Sequence, residues 1–338
     1  MVIPAVVIVG SDSLVGGEIR DLISQQAPEV VTRLVGDSAD SQILTELAGE
    51  PVLINPLDEE VIRGAQAVIL AGTAETSRRC MELAESATVA PALIDVTWEL
   101  ERESGAELRA PRVESPRHEA APARVHIIAH PAATVLAEFF ERLHASLPVS
   151  RSVVQVFLPA SEFGKRGIEE LQHQSVNLLS FKSPEHGIFD TQAAFTLLPY
   201  YGTEAEISLA VIEERIERHL REVLAWKSAA PAHSLRVVQA PIFHGLSASV
   251  WAEFERPAEV RDLIKALASD RIEIRNATEE PPTNAGVTGQ SGLVVGRITP
   301  DRANPNAAWF WVVADNHGIC ADNAVCLARL LLPGAEIA

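Results

Sequence analysis

The chain of 338 residues has only three cysteines, Cys80, Cys320 and Cys326, and no two of them form a C-x-x-C pair. Cysteines so few and so scattered exclude a disulfide framework and a zinc site, and they suit a reducing cytoplasm. Basic charge is also scarce. Against 46 Asp and Glu stand 28 Lys and Arg, a net charge of −18, with no Lys/Arg-rich run. Nucleic acid and anionic membrane surfaces are therefore not expected partners. No apolar run is long enough to span a bilayer. The opening "MVIPAVVIVGSDS" lacks the basic stretch and small-residue cleavage site of a secretory leader. There is no internal repeat and no low-complexity tract. What is present is the balance of a globular protein, 47% hydrophobic and 22% charged. The length suits two domains better than one core, and the expectation is a cytoplasmic protein.

The first half has an α/β rhythm. "AVVIV" (5–9) is a continuous β-branched run ending at Gly10, followed by an amphipathic stretch over about 15–25. A continuous apolar strand followed by a helix marks a buried parallel strand. Further strands are expected at 30–35, 52–54, 67–71, 92–96 and 125–129, with a helix at 74–86 and a Glu/Arg/Pro-rich loop over 101–124. That is a Rossmann-type doubly wound parallel sheet. A helix over 132–146 carries Val135, Leu136, Phe139, Phe140 and Leu143 on one face. Beyond it, strands at 152–158, 192–198, 235–239, 248–254, 293–298 and 308–314 are separated irregularly by helices at 165–180, 203–226 and 257–268. This predicts an α+β domain with a mixed or antiparallel sheet. Three helices would cover one face of that sheet and a second subunit the other. A last apolar helix, 320–332, is long enough to pack back on the first domain.

"VGSDSLVGGE" (Val9–Glu18) sits where a dinucleotide loop belongs. Such a loop needs glycines for a tight turn and for close approach to the pyrophosphate, which faces a helix N-terminus. Gly10 supplies the turn, and Gly16 or Gly17 the close helix–strand contact. The middle glycine is replaced within Ser11-Asp12-Ser13. Asp12 is either an anion set against phosphate or a cap for the helix. Gly10, Ser11, Asp12, Ser13, Leu14 and Val15, with Gly72 after the strand at 67–71, are the candidate cofactor-binding residues. Asp37 joins them, because it lies about 20 residues past the glycines, where an acidic residue binds ribose hydroxyls. No arginine stands near for a 2′-phosphate, so NAD is favoured over NADP. The alternative is a degraded, empty crevice. No metal is expected.

The remaining motifs resemble one family from end to end. "GRITPDRANPNAAWFWVVADN" (296–316) resembles the Asn-Pro-Asn loop and "WVVGDN" strand end of aspartate-semialdehyde dehydrogenases. "EFGKRGIEEL" (162–171) resembles their "GAGKAGMEEL", and "APIFHGLSASVWAEFERP" (240–257) their "VPVxxGHSESVxVEFEKP". "VGSDSLVGGE" is similar to their "VGATGAVGQE". The resemblance implies an NAD(P)-binding Rossmann domain (1–131 with 317–338), a dimerisation domain (132–316), and a homodimer. It implies a reaction as well, the reductive dephosphorylation of aspartyl phosphate through a cysteine thioester, with a histidine handling the proton and hydride from the nicotinamide.

The residues that would carry this reaction are replaced. The nucleophile segment "ANPNCST" corresponds to "AHPAATV", which places the cysteine position on Ala133. The acyl-assisting glutamine falls on Leu158, and the glycines of "SGAG" become Ser161-Glu162-Phe163-Gly164. The substrate arginine and the catalytic histidine, seven apart, fall on Gln239 and Leu246. His244 is two residues early, about 6.6 Å along a strand, beyond hydrogen-bond reach of the old position, and reads as structural. The lysine of an acid-x-x-lysine pair is absent from 203–208, and the basic residues after "DN" are His317-Gly318-Ile319. Thr134 has no evident base. Cys80 reads as helix interior, while Cys320 would open the last helix, where a thiol pKa is lowered. Three readings follow: a non-catalytic relative, an NAD-dependent oxidoreductase on a different substrate, or a non-catalytic subunit paired with an active dehydrogenase. The small-molecule ligand is not identified.

Overall fold

In a computed structural model, residues 4–37, 43–47, 50–114, 123–225 and 232–332 are described. The chain divides into two compact units, 1–129 with 320–338 and 130–319. The fold is α/β: a parallel sheet in the first unit and a mixed sheet in the second.

The first unit holds strands β1 (Ala5–Val9), β2 (Val31–Val35), β3 (Ile43–Leu47), β4 (Glu50–Ile54), β5 (Ala67–Leu70), β6 (Ala92–Asp95), β7 (Ala106–Arg109) and β8 (Val125–Ile128). Six of them form an all-parallel sheet in the order β2-β1-β5-β6-β8-β7. Helices α1 (Leu14–Gln26), α2 (Glu59–Ile62) and α3 (Ala74–Ser86) belong to this unit. Alternation along each strand splits the core in two. Val6, Ile8 and Ile69 pack with Ile19 and Ile23 of α1 on one face. Val7, Val9, Val68 and Leu70 pack with Ile62 of α2 and Cys80 and Ala84 of α3 on the other. Helices on both faces make the sheet doubly wound and explain why its inner strands β1 and β5 are apolar throughout.

The second unit contains α4 (Pro131–Ser146), α5 (Gly164–Leu179), α6 (Leu209–Ala225) and α7 (Val260–Leu267), with strands β9 (Val149–Leu158), β10 (Ala232–Gln239), β11 (Leu246–Phe254), β12 (Ile272–Arg275), β13 (Leu293–Pro300) and β14 (Ala307–Ala314). The sheet order is β10-β9-β11-β14-β13-β12. The two edge pairs, β10–β9 and β12–β13, are parallel, and the interior pairs are antiparallel. Helix α4 packs against β9, α6 and α7. Its first ten residues are all buried, and Phe139 meets Phe140 and Phe310 edge-on at 5.2 and 5.1 Å. The opposite sheet face is open. Across it run Val153, Trp251 and Trp309 on three neighbouring strands, with Val153 51% and Trp309 42% exposed.

Helix α8 (Asn316–Leu331) starts in the second unit. From Cys320 on, its Ala321, Ala324, Val325, Leu327 and Ala328 belong to the α1-side core of the first unit. Arg112 adds a bidentate ion pair to Asp322, with Nε at 2.9 Å. Among the described residues no helix is long and apolar enough to cross a membrane.

Several expected elements differ. Residues 192–198 form turns, because Gln174 satisfies their backbone: its amide donates to Thr191 O, and its carbonyl accepts from Ala193 N and Ala194 N. Helix α6 begins at Leu209 rather than 203, since Glu204 N is held by Asp190 and Val211 N by Ser208. Strand β7 lies in the stretch expected to be loop, of which 115–122 lies outside the described residues. Its charge hid it; Arg109 is neutralised by a nearly buried pair with Glu114 at 2.8 Å. The run 52–54 pairs with β3 in a separate hairpin instead of joining the parallel sheet.

Candidate functional site

The parallel sheet reverses direction of growth at β1, which has β2 on one side and β5 on the other. Ligands of such sheets bind beyond the strand ends at this point. There Gly10 takes φ 76° and Gly72 comes so close that a Cβ on Gly10 would lie 2.3 Å from the Gly72 Cα. Only glycine fits both demands. A Cβ on Gly16 would lie 2.1 Å from Gly10 O, whereas one on Gly17 would meet nothing within 4 Å. Gly16 is thus the close-contact glycine. Ser11 is fully buried, and its Oγ donates to Val35 O. Ser13, not Asp12, caps α1: its Oγ accepts from Gly16 N at 2.9 Å and donates to Ala71 O at 2.7 Å. Leu14 and Val15 form the first turn.

Asp12 and Asp37 are directed elsewhere. Asp12 Oδ1 accepts from Asp37 N. Asp37 Oδ1 accepts from Thr73 N at 2.9 Å and Thr76 Oγ1 at 2.8 Å, at the first turn of α3. Thr73 and Thr76 cap α3 reciprocally. Sequence reasoning passed over these threonines, although the T-x-x-T spacing before the helix is a capping signal. The structure therefore brings Gly10, Gly72, Asp12 and Asp37 together and holds Asp37 against a helix N-terminus, where a carboxylate is stabilised.

The second cluster lies within the second unit. Pro131 opens α4 with His130 as its cap. Ala133 is fully buried in the first turn, and Leu158 at the end of β9 and Leu246 at the start of β11 are 0% and 1% exposed. Gln239 ends β10, also buried. Its Oε1 accepts from Tyr201 Oη at 2.8 Å, and its Nε2 donates to Leu158 O and Ala240 O. Tyr201 stacks in an aromatic trio with Phe163 and Phe189, and burial pushes its phenol pKa up.

A short turn, Ala160–Phe163, hangs on Ile242 O and Phe243 O by the N–H groups of Ala160 and Ser161. It carries Glu162 to His130, Oε1 to Nε2 at 2.7 Å, with side chains 6% and 0% exposed. His130 Nδ1 accepts from Ala132 N at 3.1 Å, and the His130 N–H donates to His219 Nδ1. Burial by itself would raise the Glu162 pKa, but the His130 ring, through its field and its hydrogen bond, together with His317 and Arg215, holds it below the usual carboxylate range. His317 Nε2 lies 3.1 Å from Ser161 O, and burial lowers its pKa. The His244 ring stands 6.2 Å from that of His317. Its backbone carbonyl accepts from Asn284.

Thr134 Oγ1 donates to His130 O at 3.3 Å within the helix. Cys80 is buried in α3, its pKa pushed up by burial to about 12. Cys320 does not open its helix as expected, because α8 begins four residues earlier, at Asn316. Among the described residues no group of three His, Cys, Asp or Glu could hold a metal ion. The sequence singled out neither His130 nor Glu162 as a pair; thirty-two residues separate them, and only the fold of the Ala160–Phe163 turn brings them together.

The family described as semialdehyde dehydrogenase, dimerisation domain, matches residues 140–317. The chain is 27% identical to an aspartate-semialdehyde dehydrogenase of Synechocystis over 97% of each chain. It is 31% identical to a USG-1 protein homolog of Pseudomonas aeruginosa over 59% of this chain and 60% of that one. A probable aspartate-semialdehyde dehydrogenase from Pseudomonas aeruginosa superposes with TM-score 0.85 at 24% identity, over 98% of this chain and 99% of that one. The enzyme from Candida albicans, solved with NADP, has the same fold at TM-score 0.65 and 15% identity, over 98% of each chain.

Proposed function

We propose that this chain, which belongs to the semialdehyde dehydrogenase family, keeps the family's fold and pairing while lacking its reductive dephosphorylation chemistry. The observation that carries this reading is the environment of Ala133. A methyl group cannot form a thioester, and the residues at the other three positions, Leu158, Gln239 and Leu246, are buried and offer no cation and no base. Gln239 has both ends of its amide engaged inside the protein. Covalent acyl transfer needs an activated nucleophile, and none of these side chains supplies one. Purified protein is therefore expected to give no phosphate-dependent reduction of NAD or NADP with aspartate semialdehyde.

The chain pairs with a second copy through the open face bearing Val153, Trp251 and Trp309. A tryptophan-rich sheet face in a domain of this family is the kind of apolar patch that pairing buries.

A second reading, an NAD-dependent oxidoreductase on a different substrate, is favoured by Gly10, Gly16 and Gly72, which keep the tight turn and the close helix–strand packing of a dinucleotide loop. If it holds, NAD is preferred to NADP, because the sequence places no arginine between residues 34 and 62 to receive a 2′-phosphate. Calorimetric titration with each nucleotide tests it; no binding of NAD at millimolar concentration eliminates it. A third reading, a non-catalytic subunit of an active dehydrogenase, would use the same open sheet face.

A further inference from the structure

Glu162 stands out as an ionised carboxylate that reaches almost no solvent. A charge persists in such a place only where donors are already set for it. Here they are set by the backbone rather than by Glu162. Because His130 Nδ1 accepts the Ala132 N–H, its proton is carried on Nε2, the atom aimed at the carboxylate. The ring belongs to the cap of α4, whose N-terminus adds positive field. The Ala160–Phe163 turn is likewise held by Ile242 and Phe243 through its backbone and followed by Gly164 at φ 61°, ψ −149°. Removing the Glu162 side chain would leave both walls in place.

We infer that His130 and the start of α4 form a carboxylate seat and that Glu162 is its resident, tethered ligand. With that side chain cut back, the seat takes small monocarboxylates such as formate and acetate. The inference does not depend on whether the chain turns over a substrate, since it concerns occupancy of a site and not chemistry at Ala133.

The test uses the full-length protein and thermal melting. Glu162→Ala is expected to melt below the parent, and acetate or formate to raise its Tm saturably by about 2–4 °C. Sodium chloride at equal ionic strength and acetamide are expected to leave it unchanged. The parent protein, whose seat is filled, should show no acetate response, and neither should the Glu162→Ala, His130→Ala double variant. The idea is overturned if folded Glu162→Ala ignores acetate, if the parent responds equally, or if the double variant keeps the response.

Should Glu162→Ala not fold, the isosteric Glu162→Gln decides. The groups facing Glu162 are His130, His317, Arg215 and Tyr201. Its folded pKa is depressed, so its contribution is present above the unfolded carboxylate pKa of about 4.3 and lost as pH falls through the folded value. The parent should then lose more stability than Glu162→Gln between pH of about 5 and 3. Identical acid limbs would contradict a seat selective for charge.

Discussion

Ala133, Leu158, Gln239 and Leu246 occupy the four positions where the family resemblance places nucleophile, acyl assistant, substrate cation and proton carrier. Restoring one of them should not restore the reaction, because groups acting as a unit are not additive. Ala133→Cys is accordingly expected to give no detectable turnover with aspartate semialdehyde and phosphate. The new thiol would lie in the first turn of α4, fully buried, so thiol-specific labelling should be slow until the protein unfolds. A steady-state rate in Ala133→Cys alone would show that the remaining machinery survives in a form not visible in these side chains. The four assignments rest on the motif resemblance in the sequence. The Glu162–His130 pair could not be read there, since two polar residues far apart in sequence give no periodic signal, and only tertiary placement makes them partners.

At the level of elements, the parallel sheet was legible because its central strands are short and mostly apolar, β1 and β5 without interruption and β6 and β8 with one polar residue each. Strand β7, "AELR", was not, because an edge strand can carry charge if a neighbour pairs it, as Glu114 does for Arg109. The turn at 192–198 failed in the opposite sense: its apolar residues suggested a strand, but Gln174 takes the backbone groups that a ladder would need. The loop between β1 and α1 yields a contrast that sequence alone left open. Gly16→Ala should destabilise the first unit by about 1–3 kcal/mol, the range of an overpacked core, since its Cβ has no room against Gly10 O. Gly17→Ala should stabilise it by about 1 kcal/mol through helix propensity. Urea melts of the two variants check this, and equal effects would mean that the helix does not sit against Gly10 as described.

For the molecule as a whole, the division into two compact units falls near residue 130, where the sequence changes from strand–helix repeats to longer strands with irregular helices. The last helix completes the first core with Ala321, Ala324 and Val325, a long-range return that its predominantly apolar character already suggested. In the pairing proposed above, the open face of the mixed sheet is the surface that two copies bury. Val153→Glu places a charge at the middle of its apolar row and should convert a dimer into a monomer, measured by sedimentation equilibrium. Unchanged mass would move the interface to another surface. The central claim, a family fold without the family chemistry, is tested most directly by one assay on the purified parent protein: reduction of NAD or NADP with aspartate semialdehyde in the presence of phosphate. The account predicts no rate above a protein-free blank. Robust, phosphate-dependent turnover would contradict it.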